Sequence, residues 1–89
     1  MPSIYGGDFA ACVSLPGHTP PGTLRVDGIA LDCDLLAVIH YDANLGTRDD
    51  VTAGYEITSA DEIGTTGGAT PTAPDSDGDF LLIAWRRNP

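Results

Sequence analysis

The sequence predicts a mostly β fold, a small single-domain barrel or sandwich of about five to six strands with a long Gly/Thr/Pro loop. Three observations predict it. Apolar residues alternate strictly from Ile29 to Tyr41, the period-two beat of a strand with one face in a core. Short apolar blocks are separated by turn signals such as Pro16-Gly17 and Asp27-Gly28. The chain has 89 residues, which suit one domain, so positions 1–89 are read as a single β-rich unit.

The elements follow in chain order. Residues 9–15 read as a first strand, from Phe9 to Leu15, closed by Pro16-Gly17. Residues 17–22 form a rigid loop, because the consecutive Pro20 and Pro21 exclude helix and favour extended backbone. A strand from Thr23 to Val26 meets Ile29 through Asp27-Gly28, the pair expected of a type I′ hairpin with Gly28 at positive φ. In that hairpin Arg25 lies diagonal to Asp32 on one face.

The segment 29–41 is the most informative. Its apolar face is Ile29, Leu31, Cys33, Leu35, Ala37, Ile39 and Tyr41. The opposite face runs Ala30, Asp32, Asp34, then Leu36, Val38, His40, so a strand that starts at an edge is expected to end covered on both sides. A bend or bulge is expected near Asp34. Residues 42–46 are a turn. Thr47 and Asp50 are spaced like a helix capping box, yet Val51, Thr52, Tyr55, Ile57 and Thr58 favour a strand over 51–58. Ser59 and Glu62 repeat the capping spacing and predict at most one helical turn before Gly64. Residues 64–79 are poor in hydrophobics and rich in Gly, Thr, Pro and Asp, an extended loop or arm. Residues 80–85 (FLLIAW) are the last strand, apolar on both faces and therefore central or buried at an interface. A basic tail occupies 86–89.

Charge narrows the function classes. Thirteen acids, eleven of them Asp, face four Arg and no Lys, for a net charge of -9. Such a field repels nucleic acid and anionic membranes. A hydrophobic content of 42%, arranged in blocks, argues against disorder. No signal peptide is visible at the N-terminus, and the longest nearly apolar run, 35–39, is too short to span a bilayer.

The candidate chemistry is thin. Asp75, Asp77 and Asp79 alternate as in a calcium loop, but Gly78 precedes the third Asp and the final bidentate acid falls on Arg86. A turn feeding the last strand is the simpler reading, with calcium at these three residues as the weak alternative. Asp32 and Asp34, roughly 7 Å apart along a strand, read as a solvated face rather than an acid–base pair. Cys12 and Cys33 have neither zinc-ligand spacing nor a signal peptide and are expected as buried thiols, with a disulfide between neighbouring strands as the alternative. The acids beside Cys33 and the apolar strand around Cys12 disfavour thiolate. His40 reads as a core or rim histidine with one nitrogen satisfied. No nucleophile, acid and base set emerges, so no enzyme and no cofactor are expected.

The C-terminal strand carries the binding expectation. Phe80 and Trp85 supply aromatic anchors, and Arg86 and Arg87 supply guanidinium forks, the composition of a contact hot spot. The reading is a non-enzymatic structural or interaction protein that binds a protein partner, a larger shell or copies of itself as a homo-oligomer, without nucleic acid or membrane. In size and in its β-rich, Gly/Pro/Thr-rich, lysine-poor character, the whole chain resembles bacteriophage capsid-decoration proteins, although no motif carries the likeness. That resemblance implies a virion component, often trimeric, bridging shell subunits; otherwise a cytoplasmic location is expected. The alternative is an acidic inhibitor or nucleic-acid mimic that blocks a basic partner protein.

Overall fold

The computed structural model describes residues 10–87. The expected start of the first strand at Phe9 and the end of the tail at Asn88-Pro89 lie outside that range. Seven strands form: β1 (Ala10–Pro16), β2 (Thr23–Arg25), β3 (Cys33–Tyr41), β4 (Arg48–Asp50), β5 (Tyr55–Ser59), β6 (Glu62–Thr65) and β7 (Phe80–Arg87). A 3₁₀ turn, Thr52–Gly54, precedes β5. No helix of the described residues is long and apolar enough to cross a membrane.

The strands divide into two antiparallel sheets, ordered β1-β7-β3-β4 and β2-β6-β5. One core lies between them. Val38, Leu81, Ile83 and Trp85 come from the first sheet and Tyr55 and Ile63 from the second, while Val26 and Ile29 fill it from a turn. The arrangement is sandwich-like, and the sheets do not close into a barrel. The last strand is central, as its apolar composition implies.

Several local expectations are corrected. Asp27-Gly28 does turn the chain, with the Ile29 N–H donating to the Val26 carbonyl at 3.2 Å. Only Gly28 has positive φ (96°), so the turn is not type I′. It joins no hairpin, because β2 pairs with β6 and Arg25 faces Glu62. Arg25 instead holds Asp27, exposed, at 2.7 Å. The turn is tied down by Asp61, whose backbone exchanges bonds with Val26 and Ile29 and whose carboxylate accepts the Gly28 N–H at 2.8 Å.

The long strand begins at Cys33, not Ile29, and its register slips between Leu35 and Ala37. The bulge therefore falls at Leu36, two residues beyond the expected Asp34. One extra residue reverses the faces beyond it. Cys33 and Leu35 pack on the core, as predicted, but Val38 then takes the buried position and Tyr41 is exposed. Leu31 is exposed as well.

Residues 59–63 are a hairpin and not a helical turn. Ala60 and Asp61 connect β5 to β6, with Asp61 at φ 61°. The Ser59 and Thr58 hydroxyls donate to the Glu62 carboxylate across it, so the spacing of a cap serves a cross-strand contact. The 64–79 segment is a loop from Thr66 onward, as expected, but it is docked on the body. Its first residues belong to β6, Ala73 joins the core, and Ser76 is buried against the 17–22 loop. Two glycines permit that docking: a Cβ at Gly54 would lie 2.9 Å from Ala73, and one at Gly17 would overlap the Ser76 carbonyl oxygen.

Candidate interaction face

Pleating sends alternate side chains of β7 to opposite faces. Leu81, Ile83 and Trp85 point into the core, and Phe80, Leu82, Ala84 and Arg86 point away from it. The register then aligns three apolar rows on the outer face. Pro16, Phe80 and Tyr41 form one, Ser14, Leu82 and Ile39 the next, and Cys12, Ala84 and Ala37 the third. Leu36 stands out at the bulge beside the third row. Exposures of 45% at Phe80, 42% at Leu82, 44% at Leu36 and 42% at Tyr41 place four large apolar side chains on one surface. Single exposed hydrophobics are ordinary; here four stand on one surface with charged residues around them.

The rim is charged in both signs. At one end Arg86 lies 3.6 Å from Asp34, both partly exposed. Its Nε is buried without a hydrogen-bond partner among the described residues. At the other end β4 brings Arg48 beside Tyr41 and Asp50 beside Ile39. The Asp50 carboxyl is held below its ordinary range, first by the Thr52 hydroxyl and then by the Thr52 amide.

The four residues read from sequence as a hot spot do not share one face. Phe80 and Arg86 belong to the outer face. Trp85 is a core residue, 7% exposed, and Arg87 is exposed at the strand end beyond it on the core-side parity. Leu82, Leu36, Ile39 and Tyr41 complete the face and were not singled out by sequence. The signal for them was present in residues 80–85, which are apolar at both parities although one core hides only one.

Two polar clusters occupy the edge of the core. His18 Nε2 and the Tyr55 hydroxyl share a 2.8 Å hydrogen bond. Ser76 binds the His18 backbone three times: its hydroxyl accepts the His18 N–H at 3.0 Å and donates to the His18 carbonyl at 3.1 Å, and its own N–H donates to that carbonyl at 2.9 Å. The serine proton is thus directed to a carbonyl and not to the imidazole, so the pair is a structural clasp rather than a nucleophile and base. His40 Nε2 lies 2.8 Å from the Asp79 carboxylate, both largely buried, which matches a rim histidine with one nitrogen satisfied.

Burial lowers the His18 pKa from its ordinary 6.5, with the Asp75 charge opposing, and burial raises that of Tyr55, with the Ser76 hydroxyl opposing. A depressed histidine value means that the unfolded chain binds more protons in the window below 6.5. His18 therefore makes its full contribution above that value and loses it as pH falls toward the folded value. Urea midpoints taken at pH 7.5 and 5.5 should drop less on acidification in His18→Gln than in the wild type; equal drops would refute the assignment.

The remaining candidates separate. Asp75 accepts the Thr19 hydroxyl at 3.2 Å and the Asp77 amide at 2.9 Å, while Asp79 turns to His40, so these carboxylates diverge. No group of three potential metal ligands occurs among the described residues. Asp32 sits in the turn before β3 and Asp34 on the strand beside Arg86, so they do not share a strand face as expected. Both cysteines are free, and Cys12 is exposed rather than buried. It lies on the outer face and Cys33 on the core side, with β7 between their strands. A shallow hollow of about 340 Å³ beside the second sheet is lined by Thr23, Thr58, Thr65 and small residues, with no titratable side chain. Comparison with protein-family models, with curated proteins and with solved structures finds no match.

Proposed function

We propose that the chain is a non-enzymatic interaction module that seats the outer face of its four-stranded sheet on a larger protein assembly. The carrying observation is the apolar surface formed by Phe80, Leu82, Leu36 and Tyr41, all more than 40% exposed beside Ile39 and Ala84. Leaving that surface wet is unfavourable by roughly 25 cal/mol per Å² of apolar area, and a partner with a matching apolar patch recovers it. The rim of Arg48, Asp50, Asp34 and Arg86 supplies orientation more than affinity.

Size points to a large partner. Three strands at ~4.8 Å spacing and seven residues at ~3.4 Å give a footprint of roughly 300–350 Å², well short of the ~800 Å² per partner of a stable interface. A surface that small works when the partner also reaches over the rim, or when several copies bind side by side. A virion shell, the assembly implied by the likeness to capsid-decoration proteins, offers both.

Co-sedimentation tests the proposal. The chain should be recovered with particles of shell protein from the native source, and Phe80→Asp/Leu82→Asp should reduce that recovery at least tenfold while the far-ultraviolet spectrum is unchanged. Undiminished recovery of the folded double variant overturns the docking face. Salt-sensitive capture by a basic nucleic-acid-binding protein, indifferent to the two substitutions, favours the acidic-mimic reading instead.

A further inference from the structure

We propose that β1 is the pairing edge of a two-fold homodimer, joining the four-stranded sheets of two copies into one sheet of eight strands. The inference goes beyond the docking face, because edge pairing leaves that face open on both copies.

An exposed strand edge presents unpaired N–H and C=O groups and templates further pairing unless it is short, charged or covered. The two sheets have four edge strands: β1, β4, β2 and β5. Strand β4 has three residues, Arg48, Asp49 and Asp50, all charged. Strand β2 has three residues and carries Arg25. Strand β5 carries Glu56. Strand β1 alone is long, seven residues (AACVSLP), and has no charged side chain. It pairs with β7 on one side. None of the backbone bonds found outside the strand ladders involves residues 10–16, so its other side has no backbone partner among the described residues. Pro16, which lacks an N–H, sits only at its end.

The occupant that fits is a second copy. Two antiparallel β1 strands centred on Val13 set Ala11 opposite Leu15 and Cys12 opposite Ser14. This register keeps core-side residues on one face and small outer residues on the other. Ala11, Val13 and Leu15 pack on the core yet are only partly buried, since the covering sheet has one strand fewer. The same three residues of the second copy flank them on the same face. The net charge of -9 opposes self-association over most of the surface, and β1 contributes none of it. Pairing also sets two outer faces side by side, which about doubles the footprint and brings it near the ~800 Å² of a specific interface.

Sedimentation equilibrium of the full chain under reducing conditions should give the two-copy mass. Cys12→Lys/Ser14→Lys places Lys opposite Lys twice across the two-fold axis. It should weaken association at least tenfold, although it lowers the net charge that drives copies apart. A second variant needs no loss of function. Ser14→Cys, made with Cys33→Ser, sets the introduced thiol at position 14 opposite Cys12 of the other copy. Diamide then oxidises the two thiols to one disulfide, is itself reduced to the hydrazine, and yields a covalent dimer on a non-reducing gel. A monomeric mass up to millimolar concentration overturns the pairing. So does undiminished association of the folded double-Lys variant, or absence of the covalent dimer.

Discussion

Ile83→Ala is expected to remove about 3–4 kcal/mol of stability, the range for emptying a fully enclosed aliphatic site. Ile83 is 0% exposed and sits mid-strand on β7, between β1 and β3, with Val13 and Val38 as its register partners. Neighbours on both sides are held by ladder bonds, so the site collapses poorly and the cavity persists. A domain of this length has about 4–13 kcal/mol in total, so roughly a quarter or more of it disappears. Chemical denaturation reads this as a lower midpoint at unchanged slope. A loss under 1 kcal/mol would mean that β7 is not the centre of the core.

Gly17→Ala is expected to cost about 3 kcal/mol through a different route. The added methyl overlaps the Ser76 carbonyl oxygen and lies 2.5 Å from the Ser76 hydroxyl. Backbone sits at the contact, so a rotamer change cannot relieve it. Either the 17–22 loop or the 75–79 segment must move away. That breaks the bonds between His18 and Ser76 and strains the bond from the Gly17 N–H to the Asp79 carbonyl, 2.9 Å. Thermal melting of Gly17→Ala beside Gly46→Ala gives the comparison. Gly46 meets nothing within 4 Å and has only its positive φ of 70° to lose. The alanine at 17 should melt lower. The reverse order would show that the 64–79 segment is not docked as described.

How much was legible in the sequence depended on how far apart the interacting residues lie. The two-residue beat through Leu35 and Ile39 identified β3, and the unbroken apolar run of 80–85 identified a central strand, because both are local patterns. The bulge was legible to within two residues, from the change in character of the second face after Asp34. Its exact place at Leu36 was not, because apolar residues occupy both parities from Leu35 to Ile39 and a one-residue slip leaves no trace there. Asp27-Gly28 announced a turn but not its partners, since the assignment of β2 to β6 is fixed by contacts almost forty residues away. Ser59 and Glu62 satisfied a helix-cap spacing that a tight hairpin satisfies equally.

The candidate site was half legible. Phe80 and Arg86 were identified, but Trp85 was read as a surface anchor because an aromatic beside two Arg has hot-spot composition whichever way it faces. Only the pairing with β1 and β3 decides which parity of β7 enters the core. Once it does, Leu82 and Phe80 are left outside, and the apolar face follows. The docking of the 64–79 segment was hidden for a similar reason. Its composition is that of a free loop, whereas Ala73 and Ser76 meet glycines at 54 and 17 that leave room for them.

The division of β7 into a buried and an outward row is what every functional statement requires. Urea midpoints of Ile83→Ala and Leu82→Ala, measured side by side, test it directly. These adjacent residues have similar volume and neighbouring ladder positions, and differ in the face they occupy. The midpoint shifts, multiplied by the common slope, should correspond to a loss of about 3–4 kcal/mol for the former and less than about 1 kcal/mol for the latter. Equal losses, or a larger loss at Leu82, would contradict the division and with it the outer docking face.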